Sequence, residues 1–375
     1  MIYFFLFLFI SFFSLVVLMI IHELGHFLVA KYFGVKIEEF GIGYPPRIWG
    51  KKIGDTLYSI NLLPLGAFVK IYGETGGLEE SHSFLNLKIW KRVLIVLGGV
   101  IAFWIVAIFI FTLVSFMGVQ LPIPDDQAIT KGDAFVRVGM VFKDSPAEKS
   151  GIKRGDIIKS VKVEEQIIPI KTIAQFQSIV KENQDKELTI NFVRKGKEIS
   201  VLTFVRSSPP KGEGPIGIGL ERVVQVIEKS PWYLSLWKGV SYTFYITVNM
   251  VKGLFQIISE LILGKGLPAG AQIAGPLGIS VFLAQAAFMG KDYFLYLIGL
   301  ISVAVAIFNL LPIPALDGGK LLFLLIEKIK GKPISAMVEQ GITLLFFIIL
   351  IVLALFVTIG FDIPRFKEFW INYLF

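Results

Sequence analysis

The sequence predicts a polytopic α-helical membrane protein with four core transmembrane helices and an inserted water-facing α/β unit. Three observations carry this. Of 375 residues, 54% are hydrophobic and only 18% are charged, with a mean hydropathy of +0.71, whereas an ordinary soluble domain is about a quarter charged. Four long stretches lack any charged side chain, and a polar, lysine-rich segment separates the second from the third.

The first stretch is residues 1–21, with His22 as its first ionisable group. It is long enough to cross a hydrocarbon core of about 30 Å. A cleaved leader is the competing reading, but no Lys or Arg precedes the run and no small-residue cleavage site follows it. The second is Val93 to Met117, within an uncharged run that reaches Pro124. The third is Tyr293 to Leu316, interrupted by Asn309, Pro312 and Pro314, and the fourth is Gln340 to Gly360. Gly239 to Leu263, which contains Lys252 and Glu260, and the short Pro276 to Met289 read as interfacial or re-entrant helices. The polar stretch runs from Asp125 to about Lys238, the size of one small domain. The resulting organisation is a first membrane half (1–124), an inserted domain (125–222), interfacial helices (223–290) and a second membrane half (291–375).

Composition removes several chemistries. There is no Cys, which excludes disulfide frameworks, thiol nucleophiles, iron–sulfur clusters and Cys-ligated zinc. A metal site must use His and carboxylates. Lys and Arg outnumber Asp and Glu 37 to 29. In a membrane protein that excess reads as cytoplasmic loop charge rather than nucleic-acid binding. The loops Lys31–Arg92 and Lys320–Lys332 carry the clusters and are expected in the cytoplasm. Long translocated domains escape the rule, so the inserted domain is expected outside.

Ile21-His22-Glu23-Leu24-Gly25-His26 is an H-E-x-x-H motif. Residues four apart on a helix lie about 40° apart around the axis and roughly 6 Å along it. Both imidazoles then face one metal ion, with Glu23 placed as general base for a water. The three groups end an uncharged run, where ionisable side chains cost several kcal/mol unless paired or metal-bound. Catalytic zinc has three protein ligands, so a third is needed from Asp, Glu or His82. His82 stands in the polar loop Glu80-Ser81-His82-Ser83. Asp317 is the better candidate: it is the first carboxylate after the third stretch, next to Gly318-Gly319. A surface Asp in a helix-terminal turn is the competing reading. For Asp317 to reach the leaflet of His26, residues 239–290 must make zero or two crossings, not one.

These residues resemble the site-2 protease family, zinc intramembrane proteases of the bacterial regulator-of-sigma-E type. The resemblance covers nearly the whole chain. It rests on His22-Glu23-x-x-His26, on Leu63-Pro64-Leu65-Gly66-Ala67-Phe68-Val69-Lys70, and on Asn309 with Leu311-Pro312-x-Pro314-x-Leu316-Asp317-Gly318. It implies one Zn2+ held by His22, His26 and Asp317, with Glu23 as base. Asn309 matches a polar residue of the family's third span, two to three turns before Asp317 and near substrate; an interhelical hydrogen bond is the competing reading. Val35–Gly73 resembles the family's membrane-associated β-hairpin. Its Asp55–Leu62 stretch is expected to form an edge strand, with Tyr58 and Ile60 as substrate contacts. One departure stands out: the family's Pro and Asn early in the second span read Gly99 and Ala102 here.

Asp144-Ser145-Pro146-Ala147 with Gly151-Ile152 and Gly155-Asp156-x-Ile158 resembles a single PDZ domain, a binder of C-terminal tails or a size filter. The implied activity is hydrolysis of peptide bonds in single-span membrane proteins, of anti-sigma-factor or signal-peptide type, already cut by an upstream site-1-type protease. The implied location is the bacterial inner membrane. Two alternatives remain: a non-catalytic PDZ scaffold with a vestigial metal site, and a metal transporter, which the lack of ionisable groups in the other spans disfavours.

Overall fold

The computed structural model describes residues 2–74, 82–123, 125, 134–194, 196–210, 213–264 and 273–367. Glu80 and Ser81 of the His82 loop lie outside them, as does Lys195. The chain divides into Met1–Met117 with Ser230–Phe375, and Gly118–Lys229.

The first unit opens with α1 (Ile2–Tyr32), an apolar helix of 31 residues. Then come β1 (Ile37–Ile53) and β2 (Thr56–Ile71), paired antiparallel, a short turn of 3-10 helix at Phe84–Asn86, and α2 (Ile89–Met117). Among the described residues, four helices are long and apolar enough to cross a membrane: Phe5–Tyr32, Ile89–Met117, Lys291–Asn309 and Ala336–Lys367.

α1 and α2 approach closely because neither has a side chain at the contact. A Cβ on Gly25 would meet the Gly98 carbonyl, and one on Gly98 would stand 2.7 Å from the Gly25 oxygen. Small residues permit such approach where lipid supplies no hydrophobic drive between helices. α2 is the central helix, with Val100, Phe103, Ala107, Phe111 and Val114 fully buried.

The second unit occupies Gly118–Lys229. Its strands are β3 (Val119–Ile123), β4 (Ala134–Val141), β5 (Ile157–Val163), β6 (Gln166–Pro169), β7 (Glu187–Arg194), β8 (Lys197–Phe204) and β9 (Ile218–Ile227), with helices α3 (Pro146–Lys149) and α4 (Ile173–Glu182). The sheet order is β3-β9-β4-β5-β7-β8, with β6 on β5. Its core gathers Val136, Val138, Ile158, Val161, Phe176, Leu188, Ile190 and Phe192. Ser145 caps α3, accepting from the Glu148 N–H, with Pro146 at the first helical position. The expected boundaries 125–222 cut this sheet. β3 begins before Asp125 and β9 continues past Arg222, because each completes the other's ladder.

α5 (Trp232–Ile262) starts seven residues before Gly239, just after Pro231, so the polar stretch ends at Lys229 rather than Lys238. α6 (Pro276–Met289) and α7 (Lys291–Asn309) follow. The Ser230 N–H donates to the Ser115 carbonyl, and Gly239 lies on Ile108 and Thr112 of α2. α7 runs back along α2, with Gly299 against Phe111 and the Ser302 hydroxyl on the Phe103 carbonyl. α5 and α7 thus both begin beside the C-terminal end of α2.

α7 stops at Asn309. Residues 310–316 are not helical, and α8 (Asp317–Lys330) starts afresh. Asn309 and Asp317 therefore do not share one helix, contrary to the expectation of two to three turns between them, because Pro312 and Pro314 cannot continue α7. α9 (Ala336–Val357) completes the unit.

Candidate metal centre

His22 and His26 lie one turn apart on α1, 4% and 8% exposed. Asp317, the first residue of α8, reaches both. The Nε2 atoms are 3.2 Å apart, and Asp317 Oδ2 stands 3.4 Å from His22 Nε2 and 3.5 Å from His26 Nε2. The three form a nearly equilateral triangle. Around zinc, ligand bonds of about 2.0–2.1 Å at tetrahedral angles put ligand atoms about 3.3 Å from one another. The donor set and its spacing fit zinc.

Neighbouring groups fix this geometry. His26 Nδ1 donates to the Ile95 carbonyl of α2 at 2.9 Å. A carbonyl oxygen only accepts, so the proton sits on Nδ1 and Nε2 is left for a metal. The His22 ring stacks on Phe103, with centroids 4.7 Å apart. Gly99 backs both rings, since a Cβ there would stand 2.6 Å from His22 Nδ1. Among the described residues Asp317 Oδ2 is buried without a hydrogen-bond partner, and both imidazole Nε2 atoms stand within 3.5 Å of it.

Gly318 and Gly319 are needed for close approach. A Cβ on Gly318 would meet the Leu310 and Leu311 carbonyls, and one on Gly319 the Ile313 carbonyl. Neither has positive φ. Their value is therefore the missing side chain.

Glu23 Oε2 accepts the Val69 N–H at 3.1 Å, a contact with no sequence signal. The hairpin also differs from expectation at its edges. Tyr58 is flanked by Phe40 on one side and Lys51 on the other, while Val69 has Phe40 as its strand partner. Residues 56–61 are therefore interior, and among the described residues 47–53 and 67–71 form the two edges, the second of them beside Glu23. Tyr58 packs on Phe27 and Phe40, with centroids 6.1 and 6.4 Å away, and Ile60 is 47% exposed. Asn309 donates to the Val305 carbonyl one turn back on its own helix. His82 is exposed and outside the cluster. Among the described residues, His22, His26 and Asp317 form the grouping able to hold a metal ion.

The sequence profile described as peptidase family M50 matches residues 10–353. A Clostridium perfringens protein assigned as a zinc metalloprotease is 31% identical over 343 residues, covering 91% of this chain and 94% of its own. Zinc metalloprotease RasP of Geobacillus kaustophilus is 26% identical over 428 residues, covering 93% and 96%. Regulator of sigma-E protease RseP of Escherichia coli is 28% identical over 423 residues, covering 87% and 92%. Among solved structures, the PDZ domain of an SdrC-like protein from Listeria monocytogenes matches 25% of this chain and 93% of its own, with a TM-score of 0.21 and 22% identity.

Proposed function

The chain belongs to peptidase family M50, the site-2 proteases, and from that premise we propose that it is a zinc-dependent endopeptidase cutting peptide bonds within membrane segments. The observation that carries this reading is the triangle of Nε2, Nε2 and Oδ2, with edges of 3.2, 3.4 and 3.5 Å. His22, His26 and Asp317 would hold the zinc. When bound, zinc supplies Lewis acidity, making a water more acidic and a peptide carbonyl more electrophilic.

Glu23 does the proton work. Its Oε2 is held by the Val69 N–H, which leaves Oε1 to take the proton of the attacking water and return it to the leaving nitrogen. The edge at residues 67–71 offers backbone pairing to an unwound substrate, since a helical segment hides its carbonyls in its own hydrogen bonds. Small or helix-breaking residues near the cut favour cleavage.

The substrates we propose are single-span membrane proteins of anti-sigma-factor or signal-peptide type, already shortened by another protease. The chain sits in the bacterial inner membrane with the metal site towards the cytoplasm, which the Lys and Arg of residues 31–92 and 320–332 support. The Gly118–Lys229 unit is PDZ-like and external.

The test is Glu23→Gln, assayed on a single-span substrate in detergent. Zinc content should remain while the rate falls at least about 100-fold. Cleavage at the parent rate would overturn the mechanism, and a metal-free parent would restore the scaffold reading.

A further inference from the structure

Two ion pairs flank the metal centre without touching it. Arg92 at the start of α2 makes a two-pronged pair with Glu327 of α8, Nη1 to Oε2 at 2.9 Å and Nη2 to Oε1. Arg92 is 4% exposed. Lys320, one turn after Asp317, pairs with Glu74, three residues past the end of β2. Phe84, 1% exposed, lies between the two cations, 5.9 Å from the Arg92 guanidinium carbon and 5.3 Å from Lys320 Nζ.

Their placement on the helices matters more than their number. On α8, residues 317, 320, 324 and 327 fall within about 80° of one another around the axis. On α2, residues 92, 95 and 99 fall within about 60°. The two stripes face each other. Arg92 meets Glu327 at one end, Ile95 and Leu324 share the apolar cluster in the middle, and Gly99 backs the imidazoles that Asp317 reaches at the other. Arg92 and Glu327 have side chains only 5% and 15% exposed, a burial of charge that is costly unless paired, while Lys320 and Glu74 are partly exposed at 23% and 26%.

We propose that Arg92–Glu327 and Lys320–Glu74 are separate positioning pairs for the two halves of the catalytic apparatus. Arg92–Glu327 sets where α8 sits along α2 and hence where Asp317 Oδ2 stands relative to the two Nε2 atoms. Lys320–Glu74 ties α8 to the end of β2, and β2 carries the Val69 N–H that orients Glu23. The first pair governs metal affinity, and the second governs the proton step. This inference rests on the protease reading above.

The experiment uses the full chain in detergent, with zinc affinity measured by chelator competition and kcat and KM measured on zinc-saturated enzyme. Replacing Arg92→Met together with Glu327→Met leaves no orphaned charge. It should weaken zinc binding about 10–100-fold and leave kcat at saturating zinc within a few-fold of the parent. Glu74→Gln should lower kcat about 10–100-fold with zinc affinity and KM near parent values. Exchanging the charges, Lys320→Glu with Glu74→Lys, should restore most of that kcat.

The proposal is overturned if the double methionine variant binds zinc like the parent or Glu74→Gln turns over like it. It is also overturned if both variants lose affinity and kcat together, as general loosening would cause. Should Glu74→Gln fail to fold, the charge exchange decides that pair, and an exchanged variant with kcat far below the parent rejects its positioning role. Should the double methionine variant fail to fold, Glu327→Gln replaces it, and parent zinc affinity in that variant rejects the role of Arg92–Glu327. Failure of the protease reading is distinct, because then Glu23→Gln and the parent would have equal rates.

Discussion

Gly99 lies so close to His26 that a Cβ built on it would overlap Nε2 and stand 2.6 Å from His22 Nδ1. The rings cannot retreat, because His26 is tied to Ile95 and His22 is stacked on Phe103. Gly99→Ala should therefore push the imidazoles out of register with Asp317. A misplacement of about 1 Å can cost on the order of 100-fold in rate. The expected outcome is a loss of that size in cleavage with zinc binding weakened alongside it. A variant with parent affinity and rate would show that the rings accommodate the methyl group.

The role of Gly99 had a faint signal in the sequence. Two successive glycines inside an apolar helix cost about 1 kcal/mol each relative to Ala, which only close packing justifies. The sequence does not say what packs there, because the partner lies on another helix some seventy positions away. The grouping of His22, His26 and Asp317 was legible because ionisable groups stand out at the ends of uncharged runs. The hairpin edge beside Glu23 was not legible. Alternation along Asp55–Leu62 marks a strand, but whether it has one neighbour or two depends on how β1 and β2 bend back. The start of α5 was hidden for a related reason: Trp232 to Lys238 has the mixed character of an interfacial helix, which composition alone assigns to the polar segment.

Metal removal gives a second prediction. If the triangle holds zinc in the folded state only, free zinc at about 100 times its Kd stabilises the protein by about 2.7 kcal/mol. Chelation should lower the unfolding midpoint and abolish cleavage, and added zinc should restore both. His22→Ala should show no zinc-dependent shift. A parent whose midpoint ignores both chelator and zinc would speak against a resident ion.

The Gly25–Gly98 contact predicts a steric limit in the bundle. Gly25→Leu would drive a side chain into the α2 main chain, where Gly98 already blocks even a Cβ. Overpacking of this kind costs typically about 1–3 kcal/mol. The same substitution at Gly341 of α9, with nothing within 4 Å of a Cβ, should be nearly neutral. Thermal unfolding in one detergent compares the two, and equal losses would contradict the packing described.

In the second unit, Asp156 accepts from Arg194 Nε and Nη2 at 2.7 Å each and from the Lys153 N–H at 2.8 Å. The partners differ in their access to water: the Asp156 side chain is 1% exposed and that of Arg194 is 27%. Removing Arg194 leaves a carboxylate that cannot rehydrate, which costs about 3–5 kcal/mol. Removing Asp156 frees a guanidinium that can turn to solvent, so the loss should be smaller, about 1.5–3 kcal/mol for hydrogen bonds to a charged group. Arg194→Ala should therefore destabilise the unit more than Asp156→Ala, although it deletes the more exposed residue. Denaturant unfolding followed by a probe in this unit measures both. The reverse order would mean that Asp156 is reached by water after all.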